Sequence, residues 1–145
     1  MENLTFVEIL LIEDNPGDAR LTLEALKDGK IKNNLSIVHD GVEATDFLFK
    51  RDQYKNAPRP DLILLDLNLP KKNGQEVLAE IKADDSLKSI PVIVLTLSKA
   101  EEDIIRSYNL HANCFLIKPI DLNQFFEVVK SIEDFWLTLV KLPKS

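Results

Sequence analysis

Five short aliphatic runs, separated by stretches of helical periodicity, restrict the fold of this chain more than any other feature. The runs are Ile9–Ile12, Leu35–His39, the Leu62–Leu65 core of the segment Pro60–Pro70, Pro91–Leu95 and Phe115–Ile117. Branched aliphatics without polar alternation suit strands buried on both faces, as in parallel sheets. Between them, apolar residues recur with helical spacing: Ala19, Leu23 and Leu26; Ala44, Phe47 and Leu48; Val77, Leu78 and Ile81; Ile104, Ile105 and Tyr108. Each of these stretches opens on a start signal. Asn15 precedes Pro16, Asp40 stands three before Glu43, Asn73 three before Glu76, and Ser98 three before Glu101, while Asp121 opens a last helix. Gly29 stops the first helix, and the polar segment Arg51–Arg59 reads as a loop. This alternation predicts an α/β fold, a doubly wound five-stranded parallel sheet. Right-handed crossovers with helices on both faces favour the order 2-1-3-4-5.

Composition bounds the rest. A chain of 145 residues, 45% hydrophobic, has material for one core, so a single domain over 1–145 without a further output domain is expected. A net charge of -6 with interspersed signs lacks the clustered basic face that nucleic acid requires. The lone Cys114 can form no internal disulfide, and the start Met1-Glu2-Asn3 has no positive flank of a secretion signal. No apolar run approaches the roughly 20 residues that span a bilayer, since Phe6–Ile12 is short and interrupted by Glu8. A soluble cytoplasmic protein is expected.

Parallel strands deliver their carboxyl ends to one edge, where α/β ligand sites gather. Glu13, Asp14, Asp66, Thr96 and Lys118 all follow or end such runs and should converge there. Three carboxylates about 5 Å apart repel by roughly 3 kcal/mol per pair at an effective dielectric of about 20, so they call for a proton or a cation. An oxygen-lined acidic notch suits magnesium, which accepts one or two carboxylates and retains waters. A carboxylate flanked by a metal, an ammonium and a hydroxyl is equipped to attack phosphorus, and Asp66 is the nucleophile expected. His39 and His111 carry no assigned role, and His111 with Cys114 lacks the further ligands of a zinc site.

With these residues in place the sequence resembles a response-regulator receiver domain, a flavodoxin-like fold. The likeness rests on Glu13-Asp14, on Asp66-Leu67-Asn68-Leu69-Pro70 with Gly74 after it, on Thr96 with Ser98, and on Lys118-Pro119, in family order and spacing across essentially the whole chain. It implies that Asp66 accepts a phosphoryl group from a histidine kinase. It further implies that Asp14, Asp66 and the Asn68 carbonyl bind Mg2+ directly, that Glu13 acts through water, and that Thr96 and Lys118 hold the phosphoryl oxygens. An aromatic switch is implied at Phe115, and often a cis peptide before Pro119. The family usually has a small residue where Leu97 stands, so Leu97 and Ser98 are expected to govern access to the pocket.

A narrower likeness, to single-domain receivers that partner bacterial and cyanobacterial phytochromes, rests on Glu13-Asp14-Asn15 followed by Asp18-Ala19-Arg20, on the long segment before Asp61, and on Ile132–Trp136 with Leu142-Pro143. The apolar excess of the last helix and its extension, with Phe135, Trp136, Val140 and Leu142, points to a homodimer surface. Two other classes remain open at this level. One is a receiver-like scaffold indifferent to phosphate, against which the acids and Lys118 speak. The other is a haloacid-dehalogenase-like phosphohydrolase, which would want a second aspartate where Asn68 stands.

Overall fold

At the centre of the sheet β3 (Leu62–Asp66) lies parallel to β1 (Val7–Ile12) on one side and to β4 (Val92–Thr96) on the other. The outer positions belong to β2 (Asn33–Val38), beside β1, and β5 (Cys114–Ile117), beside β4. The order β2-β1-β3-β4-β5 is the one the alternation predicts. The computed structural model describes residues 7–27, 33–107, 114–121, 123–125 and 127. Among them no helix is long and apolar enough to cross a membrane.

Strand alternation divides the core into two layers. Leu10, Ile12, Ile63, Leu65, Val92 and Val94 pack on one face, against α2 (Gly41–Leu48) and α3 (Gly74–Ala83). Ile9, Leu11, Leu62, Leu64, Ile93 and Leu95 occupy the other, where α1 (Pro16–Lys27) contributes Ala19 and Leu26 and where Phe125 is buried. All five residues of β3 are buried, as its unbroken apolar run requires. Continued past the strand ends, the two-residue period carries Glu13, Asp66 and Lys118 towards the face that α1 covers.

The helices start where the sequence signals them. Asn15 caps α1, its Oδ1 accepting from the Asp18 N–H at 2.9 Å. Asn73 and Glu76 form a reciprocal capping box at α3. At α2 Asp40 accepts from the Glu43 N–H, but the return bond from Glu43 goes to the His39 N–H, one residue early. The box at α4 (Lys99–Ser107) is displaced in the same way: Ser98 Oγ accepts from the Glu101 N–H, and Glu101 Oε1 accepts from the Leu97 N–H at 2.7 Å.

The segment expected as a loop after α2 contains a 3-10 turn at Asp52–Tyr54. Tyr54 makes it a packed turn, donating to Glu43 Oε2 at 2.6 Å and meeting the Phe47 ring at a tilt, centroids 5.3 Å apart. Leu23 is only half-buried, and Thr22 takes its expected place in the stripe of α1 beside Ala19 and Leu26. The Lys118-Pro119 peptide is cis. Gly29, His111 and the surface read from Phe135, Trp136, Val140 and Leu142 lie outside the described residues, as do the side chains of Ile104, Ile105 and Tyr108.

Candidate functional site

The carboxyl ends of β1, β3 and β5 bring Glu13, Asp66 and Lys118 together across separations of 105 and 52 residues. Lys118 Nζ lies 3.0 Å from Asp66 Oδ2 and 3.3 Å from Glu13 Oε1. Glu13 and Asp66 are buried and Asp14 is exposed, yet one carboxylate oxygen of each lies within 4.8 Å of the others. Such a set of hard oxygen donors fits a divalent cation. The free Asp66 oxygen is oriented as well, since Oδ1 accepts the Asn68 N–H at 3.1 Å.

Charge is heavily perturbed here. Burial pushes the Glu13 carboxyl up to about 8, and the hydrogen bond and negative charge of Asp66 push the same way, outweighing Lys118 and the Asn15 N–H. Burial alone would lower Lys118. Its hydrogen bonds to Asp18 and Asp66 and the charges of Asp66 and Glu13 more than compensate, so the ammonium is held above its usual range.

Other expected residues take local roles. Thr96 is fully buried, and its hydroxyl donates to the Leu116 carbonyl across the β4–β5 pair at 3.5 Å. Phe115 is half-buried and packs against the layer beneath α2 and α3. Ser98 serves as the cap of α4, and Leu97 is 61% exposed. Asn68 is exposed, its Nδ2 donating to Glu101 Oε2 at 3.2 Å.

The loop after Asp66 is clamped at two points by glycines. Gly74 donates to the Leu67 carbonyl at 3.0 Å, and a Cβ there would stand 2.6 Å from the Asp66 carbonyl oxygen. Gly41 faces the Pro70 carbonyl, and a Cβ there would run into the backbone of Lys72. Helices α2 and α3 thus press directly on the loop that follows Asp66.

Sequence reasoning missed two members of this constellation. Asp18, at the start of α1, reaches Lys118 Nζ at 3.0 Å. Its signal was available: side chains of a helix tilt towards its N-terminus, so an acid in the first turn points back over the loop that carries Asp14. Glu101, read only as half of a capping box, also ties the Asn68 side chain to α4.

The response regulator receiver domain matches this chain over residues 9–130. The chain belongs to the response-regulator receiver family. Response regulator Rcp1 of Synechocystis sp. is 55% identical over 137 residues, 94% of this receiver and 93% of that protein. Its solved Mn(2+)-bound form superimposes with a TM-score of 0.73 at 54% identity, covering 90% of this chain and 94% of that one. The bacteriophytochrome response regulator AtBRR gives a TM-score of 0.84 at 44% identity, over 90% of this chain and 94% of its own. The phosphorylated cyanobacterial phytochrome response regulator RcpA gives 0.76 at 52%, over 93% and 96%. The receiver is a response regulator of two-component signalling, with the five-stranded fold of its family.

Proposed function

We propose that this receiver accepts a phosphoryl group on Asp66 from a histidine kinase of the phytochrome type and signals by reshaping a surface for a protein partner. The observation that carries this reading is the 3.0 Å contact between Lys118 Nζ and Asp66 Oδ2 inside the acidic cluster. In the transfer an Asp66 oxygen forms a bond to phosphorus while the phosphorus–nitrogen bond of the kinase phosphohistidine breaks, its electron pair passing to the imidazole nitrogen. Lys118 places fixed positive charge where the phosphoryl oxygens gain negative charge. Thr96 holds one of those oxygens once its hydroxyl turns from the Leu116 carbonyl, and half-buried Phe115 follows as the switch. Leu97 and Ser98 flank the approach.

The donor set fits Mg2+, which Asp14, Asp66 and the Asn68 carbonyl would hold, Glu13 contributing through water. Bound there, magnesium neutralises charge on the transferring group. The chain turns over no separate substrate; it takes up and loses its own phosphoryl group. AtBRR and RcpA, at 44% and 52% identity, support the phytochrome partnership, because both are named for it. A cytoplasmic setting and a homodimer built through Phe135, Trp136, Val140 and Leu142 complete the reading, the latter on sequence alone. The test is labelling by a competent kinase with magnesium. The wild type gains an acid-stable, base-labile acyl phosphate and Asp66→Asn gains none; label persisting in Asp66→Asn overturns the assignment.

A further inference from the structure

Lys118 Nζ has three N–H donors, and three different residues compete for them: Asp18 and Asp66 at 3.0 Å each, and Glu13 at 3.3 Å. These partners differ in what a phosphoryl group does to them. Forming the acyl phosphate consumes the Asp66 carboxylate and moves its negative charge outward onto the phosphoryl oxygens, and Glu13 and Asp66 both belong to the oxygen cluster fitted to a cation. Asp18 is neither phosphorylated nor in that cluster. We propose that Asp18 is the positioning residue for Lys118, keeping its ammonium aimed at the phosphoryl group when the Asp66 carboxylate becomes an acyl phosphate; this rests on the phosphoacceptor reading of Asp66.

The local structure is built for that task. Pro16 opens α1, and the Asp18 N–H is fixed by Asn15 Oδ1 at 2.9 Å, so the first turn cannot swing freely. From there the side chain leans back over the strand ends and meets Lys118 across 100 residues of sequence. Lys118 is 10% exposed and the Asp18 side chain 35%, so the pair lies at the rim, shielded on the ammonium side and open on the other. Without Asp18, the ammonium of a phosphorylated site keeps only Glu13 among these carboxylates, and its aim at the phosphoryl oxygens is held from one side alone.

Binding of beryllofluoride, a phosphoryl analogue, to the full chain with magnesium tests this, read by fluorine NMR. Asp18→Asn should weaken binding about ten-fold, the loss expected for one charge-assisted hydrogen bond, and Asp18→Glu should restore most of it. In a Lys118→Ala background Asp18→Asn should have no further effect, because its action passes through the ammonium. Urea denaturation verifies that each variant folds. Wild-type affinity in Asp18→Asn, or an equal loss with and without Lys118, overturns the proposal while the phosphoacceptor reading stands. Wild-type affinity in Lys118→Ala likewise overturns the proposal alone, whereas beryllofluoride binding that survives Asp66→Asn overturns the phosphoacceptor reading.

Discussion

Replacing Glu13 by glutamine should stabilise the metal-free receiver at neutral and alkaline pH. The Glu13 carboxyl is fully buried, and its folded value of about 8 lies far above its ordinary 4.5. A group that holds its proton more tightly when folded contributes its full stabilisation below pH 4.5 and loses it as the pH rises through about 8. The loss amounts to about 4–5 kcal/mol, most of it complete by pH 8. Glutamine stays neutral throughout, keeps an oxygen for the Asn15 N–H and suffers no such loss. Lys118 does not disturb the comparison, since a lysine held above its ordinary 10.5 stays charged across this range. Urea denaturation in chelator at pH 5, 7 and 9 should give nearly equal stabilities at pH 5 and a variant more stable by about 3–5 kcal/mol at pH 9. Added magnesium should narrow the gap, the cation taking the proton's place. Parallel pH profiles for the two proteins would refute the burial argument.

Gly74→Ala should cost about 2 kcal/mol or more, because the new methyl meets the Asp66 and Leu67 backbone; it should also slow phosphorylation, read by denaturation and by labelling with acetyl phosphate. Leu97→Ala should change stability by less than about 0.5 kcal/mol, since the side chain is largely exposed, and should accelerate labelling by acetyl phosphate, an unchanged or slower rate removing the steric role of Leu97.

The sheet was legible because each strand is an apolar run too short for a helix and ends at an abrupt polar boundary, and topology then follows from crossover handedness. Capping was legible to within one residue. Glu43 and Glu101 sit at the right offset from Asp40 and Ser98, but a flexible carboxylate chooses among nearby N–H groups, and both reach one residue further back. The turn at Asp52–Tyr54 was illegible because its reason for order is tertiary: Tyr54 meets Glu43 and Phe47. At the site, Glu13, Asp66 and Lys118 were readable from strand ends alone. Asp18 was missed because it stands on a helix: the backward tilt of a first-turn side chain gave its direction, but nothing in the sequence gave its target 100 residues away. Thr96 was placed correctly at the strand end, but no sequence pattern says that its hydroxyl bonds the Leu116 carbonyl.

The order in which the chain supplies this site has a consequence for how the protein acquires its shape. Glu13 follows β1 and Asp66 ends β3, two neighbouring interior strands, whereas the cation between them follows the edge strand β5. During synthesis the two acids are therefore emplaced well before their counter-ion exists, and a nascent sheet lacking β5 leaves the pair without an ammonium to offset its repulsion. Such a partial sheet can relieve the repulsion only by taking up protons or a cation from solution. Addition of β5, the last strand in the chain, thus joins completion of the sheet to neutralisation of its reactive edge.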